Sequence, residues 1–292
     1  MRLLGRAVAC GALLASLVLA PAIAGEPAPR HVPITGEIAI IIDDLGQQHG
    51  AGLRAIRLPG PVALAFLPQT PNAVAQAGLA HANGKEVLLH LPLEPAGSSA
   101  RPHPAAIRAD GGRAELRQAF AVALASVPHA RGVNNHQGSL LTGMAEPMGW
   151  LMGEIRARPD LYFVDSRTSA ASVAYRVARF HGVPAAERNV FLDDARGEAA
   201  IRDQFRRLVA KALKDERALA IGHPYPETLK VLEEELPRLA GYGVRLVAPS
   251  ELIARQGGYR GPLRNLKLSP ALTLATTTTG PAAPGSTSAA AH

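Results

Sequence analysis

Ile38-Ala39-Ile40-Ile41-Ile42-Asp43-Asp44-Leu45-Gly46 is an apolar run that stops abruptly at two carboxylates and a glycine turn. Its length and its isoleucines are those of a buried strand. The same pattern recurs along the chain. Residues 87–89 run into His90, 161–164 into Asp165, and 218–222 into His223. In parallel α/β folds the carboxyl ends of the strands open on one face, so polar groups distant in sequence converge there. The repeated strand-end Asp, His and Asn residues therefore predict an active-site layout.

Working outward from this run, strand-like and helix-like segments alternate. Residues 62–67, 87–90, 132–133, 161–164, 190–192, 218–222 and 244–247 read as further strands. Helices are expected over 47–58, from a Thr70-Pro71 cap to Asn83-Gly84, and over 113–127, 144–157, 171–181, 198–214 and 227–239, with a last short helix at Ser250. Residues 95–111 are rich in Pro, Gly and Ser and read as a substrate-facing loop. About eight strands, each followed by a helix or helical turn, predict a closed or nearly closed (β/α) barrel. An open doubly wound sheet is the alternative. However, two carboxylates stand where a dinucleotide fold needs a glycine-rich phosphate loop. A nucleotide cofactor is not expected.

The chain has 292 residues, 47% hydrophobic and 4% aromatic, enough for one large α/β domain with an aliphatic core. Residues 1–24 carry Arg2 and Arg6, then an apolar stretch, then Ala22-Ile23-Ala24, the pattern of a cleaved secretory signal peptide. An uncleaved anchor is the alternative, but the stretch is short of the roughly 20 residues that span a bilayer. This pattern predicts a periplasmic or secreted protein with no stable membrane span after cleavage. Residues 25–36 read as a linker, 37–260 as a single catalytic-type domain, and 269–292 as a low-complexity, disordered tail. The only cysteine, Cys10, lies within the signal segment, so the remaining chain has neither a disulfide nor a thiolate metal site. Loss of Arg2 and Arg6 takes the formal charge from +7 to +5, with 29 Lys and Arg against 24 Asp and Glu. The basic residues are dispersed, with no aromatic interleaving and no zinc-finger spacing, and so carry no nucleic-acid signal.

Adjacent side chains on extended backbone point to opposite sides, so Asp43 and Asp44 suit separate tasks, one on a proton and one on a metal. A simple Asp-Gly turn is the bland alternative. His90 sits in an apolar segment, where a buried imidazole needs a partner. His136 lies in Gly132-Val133-Asn134-Asn135-His136-Gln137-Gly138-Ser139, which is polar enough to be poor core material. Asp44, His90 and His136 together offer one oxygen and two nitrogens, the donor set of a catalytic zinc-type site. His223, between Gly222 and Pro224, suits proton donation. Asp165 and Arg167 suit either orienting a histidine or gripping substrate. Asp193-Asp194 reads as helix capping. His31, His49, His81, His103, His129 and His181 read as surface residues, and Ser98, Ser99 and Ser169 lack a nucleophile-elbow context.

These segments resemble the divergent polysaccharide deacetylase family, a NodB-like branch of the carbohydrate esterases. The resemblance rests on IAIIIDDLG (38–46), LLHLPLEP (88–95), ARGVNNHQGSLLT (130–142), FVDSRTSA (163–170), VFLDD (190–194) and IGHPYPETL (221–229). It implies an α/β fold, a single deformed (β/α) barrel of about seven to eight parallel strands, and metal-dependent deacetylation of N-acetylated sugars in an envelope glycan such as peptidoglycan. By position, Asp43 corresponds to the base, Asp44 to the metal aspartate and His223 to the acid. Typical members draw two metal histidines from one HxxxH segment. Here that segment reads His90-Leu91-Pro92-Leu93-Glu94, so the third ligand is either His136 or Glu94. With His136 as that ligand, a divalent metal, zinc-like, is expected on Asp44, His90 and His136, with Asp165 as a catalytic partner and Arg167, Asn134, Asn135 and Glu94 facing substrate. Two rivals remain. One is a metal-free glycosidase using two carboxylates among Asp44, Glu94 and Asp165. The other is a glycan-binding protein that kept the fold and lost turnover.

Overall fold

The computed structural model describes residues 32–97 and 103–256. The expected signal peptide, most of the linker, Ser98 and Ser99, the end of the domain at 257–260 and the tail lie outside the described residues. Along the chain the elements are β1 (Gly36–Leu45), α1 (His49–Ile56), β2 (Ala63–Phe66), α2 (Ala73–Ala82), β3 (Val87–Leu93), α3 (Arg113–Ala125), β4 (Ala130–Gln137), α4 (Ala145–Arg156) and β5 (Tyr162–Asp165). They continue with α5 (Ala174–Phe180), β6 (Ala185–Glu187), β7 (Val190–Phe191), α6 (Glu198–Asp215), β8 (Arg217–Gly222), α7 (Pro226–Glu235), β9 (Val244–Leu246) and α8 (Pro249–Ala254).

All strand pairings are parallel, in the order β6-β5-β4-β3-β2-β1-β8-β7, with β9 added beside the start of β1. β1, the apolar run that ends in two carboxylates, is the hub: it pairs with β2, β8 and β9. The expected barrel is present but unsealed, because no ladder joins edge strands β6 and β7 among the described residues. The chain instead crosses this seam through Arg188 and Asn189. Arg188 N–H donates to the Asp165 carbonyl on one side, and Asn189 N–H donates to the Leu219 carbonyl on the other. The NodB-like deformed (β/α) barrel is thus a curled half-barrel.

Strand periodicity sorts the core into two layers. Ala39, Ile41, Ala63, Ala65, Leu88 and Ile221 belong to one buried cluster on the concave side, with Leu252 and Ile253 of α8 joining it at the amino end. The residues between them, such as Ile40, Ile42, Leu64 and Leu89, belong to the larger cluster that packs against the helices. Alanines on the concave side let the sheet curl tightly, which accounts for a core so poor in aromatics.

Several boundaries differ from those read in the sequence. β6 was not expected, because three residues after a proline carry too little apolar pattern to register as a strand. β4 is longer than residues 132–133, because its polar Asn-Asn-His segment remains paired with β3 as far as Gln137. Thr70 does not cap α2: its hydroxyl donates to the Leu67 carbonyl at 2.9 Å, and the helix starts at Ala73. α5 starts at Ala174 rather than 171, and α7 gives way at Leu236 to a 3-10 segment through Tyr242 that accommodates Pro237.

At the seam, the Asn189 side-chain oxygen accepts from Leu219 N–H at 2.7 Å and satisfies a donor on a buried residue of β8. Asn189→Ala is expected to lower stability by about 1–2 kcal/mol, read from urea unfolding. An unchanged midpoint would show that this side chain does not hold the seam.

Candidate active site

The concave stripes turn polar at the carboxyl ends of the strands. Two residues beyond inward Ile41, Leu88, Val164, Ala186 and Ile221 stand Asp43, His90, Ser166, Arg188 and His223. These groups face a cavity of about 410 Å³ that also takes in Asp44, His136 and Phe191. Strict alternation would send Asp44 outward, toward the helices. It does not, because Asp44 has φ of 56° and the β1–β2 register slips between Ile42 and Leu45. This left-handed residue within a bulge turns the second carboxylate back toward the first. Gly46 completes the turn at φ of 100°, where an added Cβ would meet Thr70 Oγ1 at 2.2 Å.

Asp44 Oδ1 lies 3.1 Å from His90 Nε2 and 2.9 Å from His136 Nδ1. The two imidazole nitrogens are 3.2 Å apart. His90 Nδ1 is 3.0 Å from Asn134 Oδ1, while the Asn134 amide donates to Asp43 Oδ1 at 2.8 Å. With its amide nitrogen committed as donor, Asn134 uses its oxygen to accept from His90 Nδ1–H. That arrangement aims Nε2 at Asp44, where it pairs with the carboxylate and would give its lone pair to a metal. Asp44 Oδ1 is itself buried and faces both nitrogens. Burial alone would raise Asp44, but the two imidazoles hold it well below the usual carboxylate range. One oxygen and two nitrogens at these separations suit one face of a tetrahedral metal site, whose ligand atoms stand about 3.3 Å apart. The residues therefore fit a divalent metal, with Asn134 orienting the His90 ligand.

Asp43 is buried. Burial raises its carboxyl, against the opposing pull of His90 and His223. His223 accepts a different partner from the one expected. Its Nδ1 lies 2.9 Å from Asp193 Oδ1, and its backbone N–H donates to Asp193 Oδ2 at 2.6 Å. Thr228 Oγ1 donates to that same oxygen at 2.8 Å. Burial would lower the His223 imidazole, but the Asp193 hydrogen bond and the carboxylates of Asp43 and Asp44 push it up to about 9. At neutral pH His223 is thus an imidazolium, with Nδ1–H on Asp193 and Nε2–H on the cavity side, 3.8 Å from Asp44 Oδ2.

Asp165, read as the orienting carboxylate, lies on the outward face of β5. Its oxygens accept from Arg167 N–H, Ser172 Oγ and Tyr175 N–H, so it shapes the following loop. Asp193, read as a helix cap, does the orienting, and α6 starts after Gly197 without a side-chain cap. Glu94 is also elsewhere. Its carboxylate accepts from Ala109 N–H at 2.7 Å and pairs with Arg108, tying down the loop after β3. Of the two ways to complete the metal set, the structure brings in His136. The two-carboxylate alternative loses its geometry, since neither Glu94 nor Asp165 joins Asp44. Asn134 is fully buried and works through Asp43 and His90 rather than on substrate. Asn135 lines the cavity and braces it, accepting from Ser166 N–H and donating to the Gln137 carbonyl. Arg167 remains at the rim, 3.5 Å from Glu187. Arg188, absent from the expected set, crosses the seam to donate to the carbonyls of Ser166 and Arg167 at 2.7 and 2.8 Å. His103, read as surface, stands edge-on to His136 with ring centroids 6.0 Å apart.

A family model for divergent polysaccharide deacetylases matches residues 40–253, which include every group in this cavity. The chain belongs to that family. It is 37% identical over 221 residues to the uncharacterized protein YibQ of Escherichia coli (strain K12), covering 75% of this chain and 68% of that one. It is 33% identical over 203 residues to an uncharacterized protein of Haemophilus influenzae, covering 70% and 72%. Among solved structures, an uncharacterized protein from Agrobacterium tumefaciens C58 superposes with a TM-score of 0.71 at 25% identity, covering 75% of this chain and 89% of that one. The family match extends from within β1 into α8.

Asn134 provides a test of how the site is held. Asn134→Ala removes the partners of a buried carboxylate and a buried imidazole N–H together, an expected loss of about 2–3 kcal/mol in stability. Divalent-metal affinity, measured by chelator competition, is expected to fall by about 10- to 100-fold. Wild-type affinity in this variant would remove Asn134 from the support of the site.

Proposed function

We propose that this protein is a metal-dependent deacetylase acting on N-acetylated sugars of an envelope glycan, peptidoglycan being one candidate. In this reading the chain is periplasmic or secreted after loss of residues 1–24. The observation that carries the proposal is the convergence of Asp44, His90 and His136 within 3.2 Å, with Asp43 and His223 facing the same cavity. Zinc is the metal that best suits a donor set of one carboxylate and two imidazoles with an open position. When bound, such a metal supplies polarisation of the acetamide carbonyl and activation of a water molecule.

The residues supply the rest. Asp43, raised by burial and held by the Asn134 amide, takes a proton from the attacking water. His223 carries a proton on Nε2 and gives it to the departing sugar nitrogen, while Asp193 keeps the imidazole oriented and stabilises its charged form. Phe191 and Tyr225, each with its ring centroid 5.5 Å from that of His223, exclude water on either side of the acid. Arg167 at the cavity rim provides a polar group for sugar hydroxyls.

The purified full chain is expected to contain near-stoichiometric zinc by mass spectrometry, lost in both Asp44→Ala and His136→Ala. Asp43→Asn should keep the metal and lower acetate release from chitin or peptidoglycan fragments by about 10²- to 10⁴-fold. Absence of metal even after zinc or nickel is supplied would sink the deacetylase reading. Bound metal with no acetate release from any glycan would instead favour a glycan-binding protein on this fold.

A further inference from the structure

Asp44 and His223 line two cavities. One is the cavity of about 410 Å³ that takes in Asp43, His90 and His136. The other, of about 290 Å³, lies between the start of α1 and the turn from β8 into α7. Their linings differ in polarity. Away from Asp44 and His223 the smaller cavity is lined by Leu45, Ala51, Leu67, Pro224, Tyr225 and Pro226, with Gln47 and Gln48 exposed beside them. The larger one has Phe191 and Ile221 as its apolar lining, and the rest, including Gln137, Ser166, Arg167 and Asp194, is polar or charged.

The walls of the smaller cavity are held from behind. Leu67 N–H donates to the Leu45 carbonyl at 3.0 Å and joins the ends of β1 and β2. Gln76 Nε2 donates to the carbonyls of Gln48 and His49, both at 3.2 Å, and so ties down the start of α1. Gly52 permits that contact, since an added Cβ would meet Gln76 Oε1 at 2.2 Å. On the other wall, prolines on both sides of Tyr225 restrict its backbone. The Arg196 guanidinium lies 3.7 Å from the centre of the Tyr225 ring and holds its outer side. The space is therefore formed before any ligand arrives, as small-molecule sites usually are.

We propose that the smaller cavity receives the acyl group of the scissile amide, and that the substrate carries an acyl chain longer than acetyl. This inference rests on the reading of the larger cavity as the seat of an N-acylated sugar. An amide held at Asp44 and His223 extends in two directions, the sugar from its nitrogen and the alkyl chain from its carbonyl carbon. Sugar hydroxyls suit the polar cavity, and an alkyl chain suits the apolar one. Hydrolysis joins the water oxygen to the acyl carbon and breaks the C–N bond. The carboxylate product then keeps the chain in the smaller cavity, while the amine, protonated from His223, leaves with the sugar. An acetyl group would place a single methyl there, about the size of a water molecule, whose share of liquid volume is about 30 Å³. A cavity of about 290 Å³ has room for several further methylenes.

The test titrates the zinc-supplied full chain with N-acetyl-, N-butanoyl- and N-hexanoylglucosamine in a calorimeter. Affinity is expected to rise by up to about fourfold for each methylene buried, and by at least about tenfold from acetyl to hexanoyl. In Ala51→Phe, whose ring fills the space, that gain is expected to shrink to within about twofold. Ala51→Leu, a smaller change, is expected to shrink it in part, and melting temperatures show that both variants are folded. Equal affinity along the wild-type series, or no binding of the hexanoyl amide, would overturn the proposal. So would a gain that persists undiminished in a folded Ala51 variant, which would put the chain elsewhere. Acid release is followed in parallel. Acetate release with no preference for longer chains would keep the deacetylase reading and overturn the acyl cavity. An affinity gain with no acid released from any of the amides would support the cavity and remove turnover.

Discussion

Two successive residues on a strand face opposite sides of the sheet, yet this site requires both Asp43 and Asp44 to face one cavity. The conflict is resolved in the backbone. A bulge in β1 and a left-handed conformation at Asp44 return the second carboxylate to the concave side. Asp is among the few residues that tolerate that conformation. The device recurs at neighbouring strand ends, where Gln137 and Arg167 have φ of 54° and 53°. At three exits from the sheet the chain thus leaves by a turn that keeps polar side chains over the barrel mouth instead of sending them toward the helices.

Once the carboxylates are placed, the surrounding groups follow from the need to satisfy them. A buried charge persists only if it is paired or hydrogen-bonded. Asn134 meets that need for Asp43 and, through its other atom, fixes His90. Asp193 and Thr228 do the equivalent for His223. The cavity therefore has two arms, one running Asp43–Asn134–His90 and the other Thr228–Asp193–His223, and they meet across Asp44. Electrostatics separates their tasks. Asp44, between imidazoles, stays ionised, whereas His223, among carboxylates, stays protonated. An anionic carboxylate and a protonated imidazole a few ångströms apart both follow from the order in which charges alternate.

Much of this was legible in the sequence because strand ends announce themselves. An isoleucine run ending in Asp-Asp needs no structure to be recognised as a strand delivering carboxylates, and the same logic located His90, His136 and His223. The expected barrel and the parallel order of its strands followed from alternation alone. What the sequence did not disclose was side-chain direction after the last paired residue. Asp165 and Asp193 look equivalent as strand-end carboxylates, but one stays on the outward face of β5 while the other follows β7 and turns toward His223. Glu94 was an ambiguous ligand for the same reason. Arg188 was invisible because its role depends on a seam between β6 and β7, and neither three-residue nor two-residue strands leave a periodic trace. The pairing Asp193-Asp194 before a glycine did carry one usable signal: it repeats the Asp-Asp strand ending of β1.

The two mouths of the half-barrel differ because the same inward stripes end differently. On β5 the stripe runs Tyr162, Val164, Ser166, and on β4 it runs Gly132, Asn134, His136. At the carboxyl end these positions are polar groups that complete one another, with Asn134 also donating to Ser166 Oγ at 3.3 Å. At the amino end a large ring rests on a glycine, and its hydroxyl lies against the Glu86 carboxyl group, which also accepts from Ser250 Oγ. A core position selected only for packing would be filled as well by phenylalanine, which places no polar atom in the interior. Retaining a phenol there gives the half-buried Glu86 carboxyl group a hydrogen-bond partner from within the chain. The upper mouth contains within the chain the partners that its histidines and carboxylates require. The lower mouth does the same on a smaller scale, with one phenol and one carboxyl group.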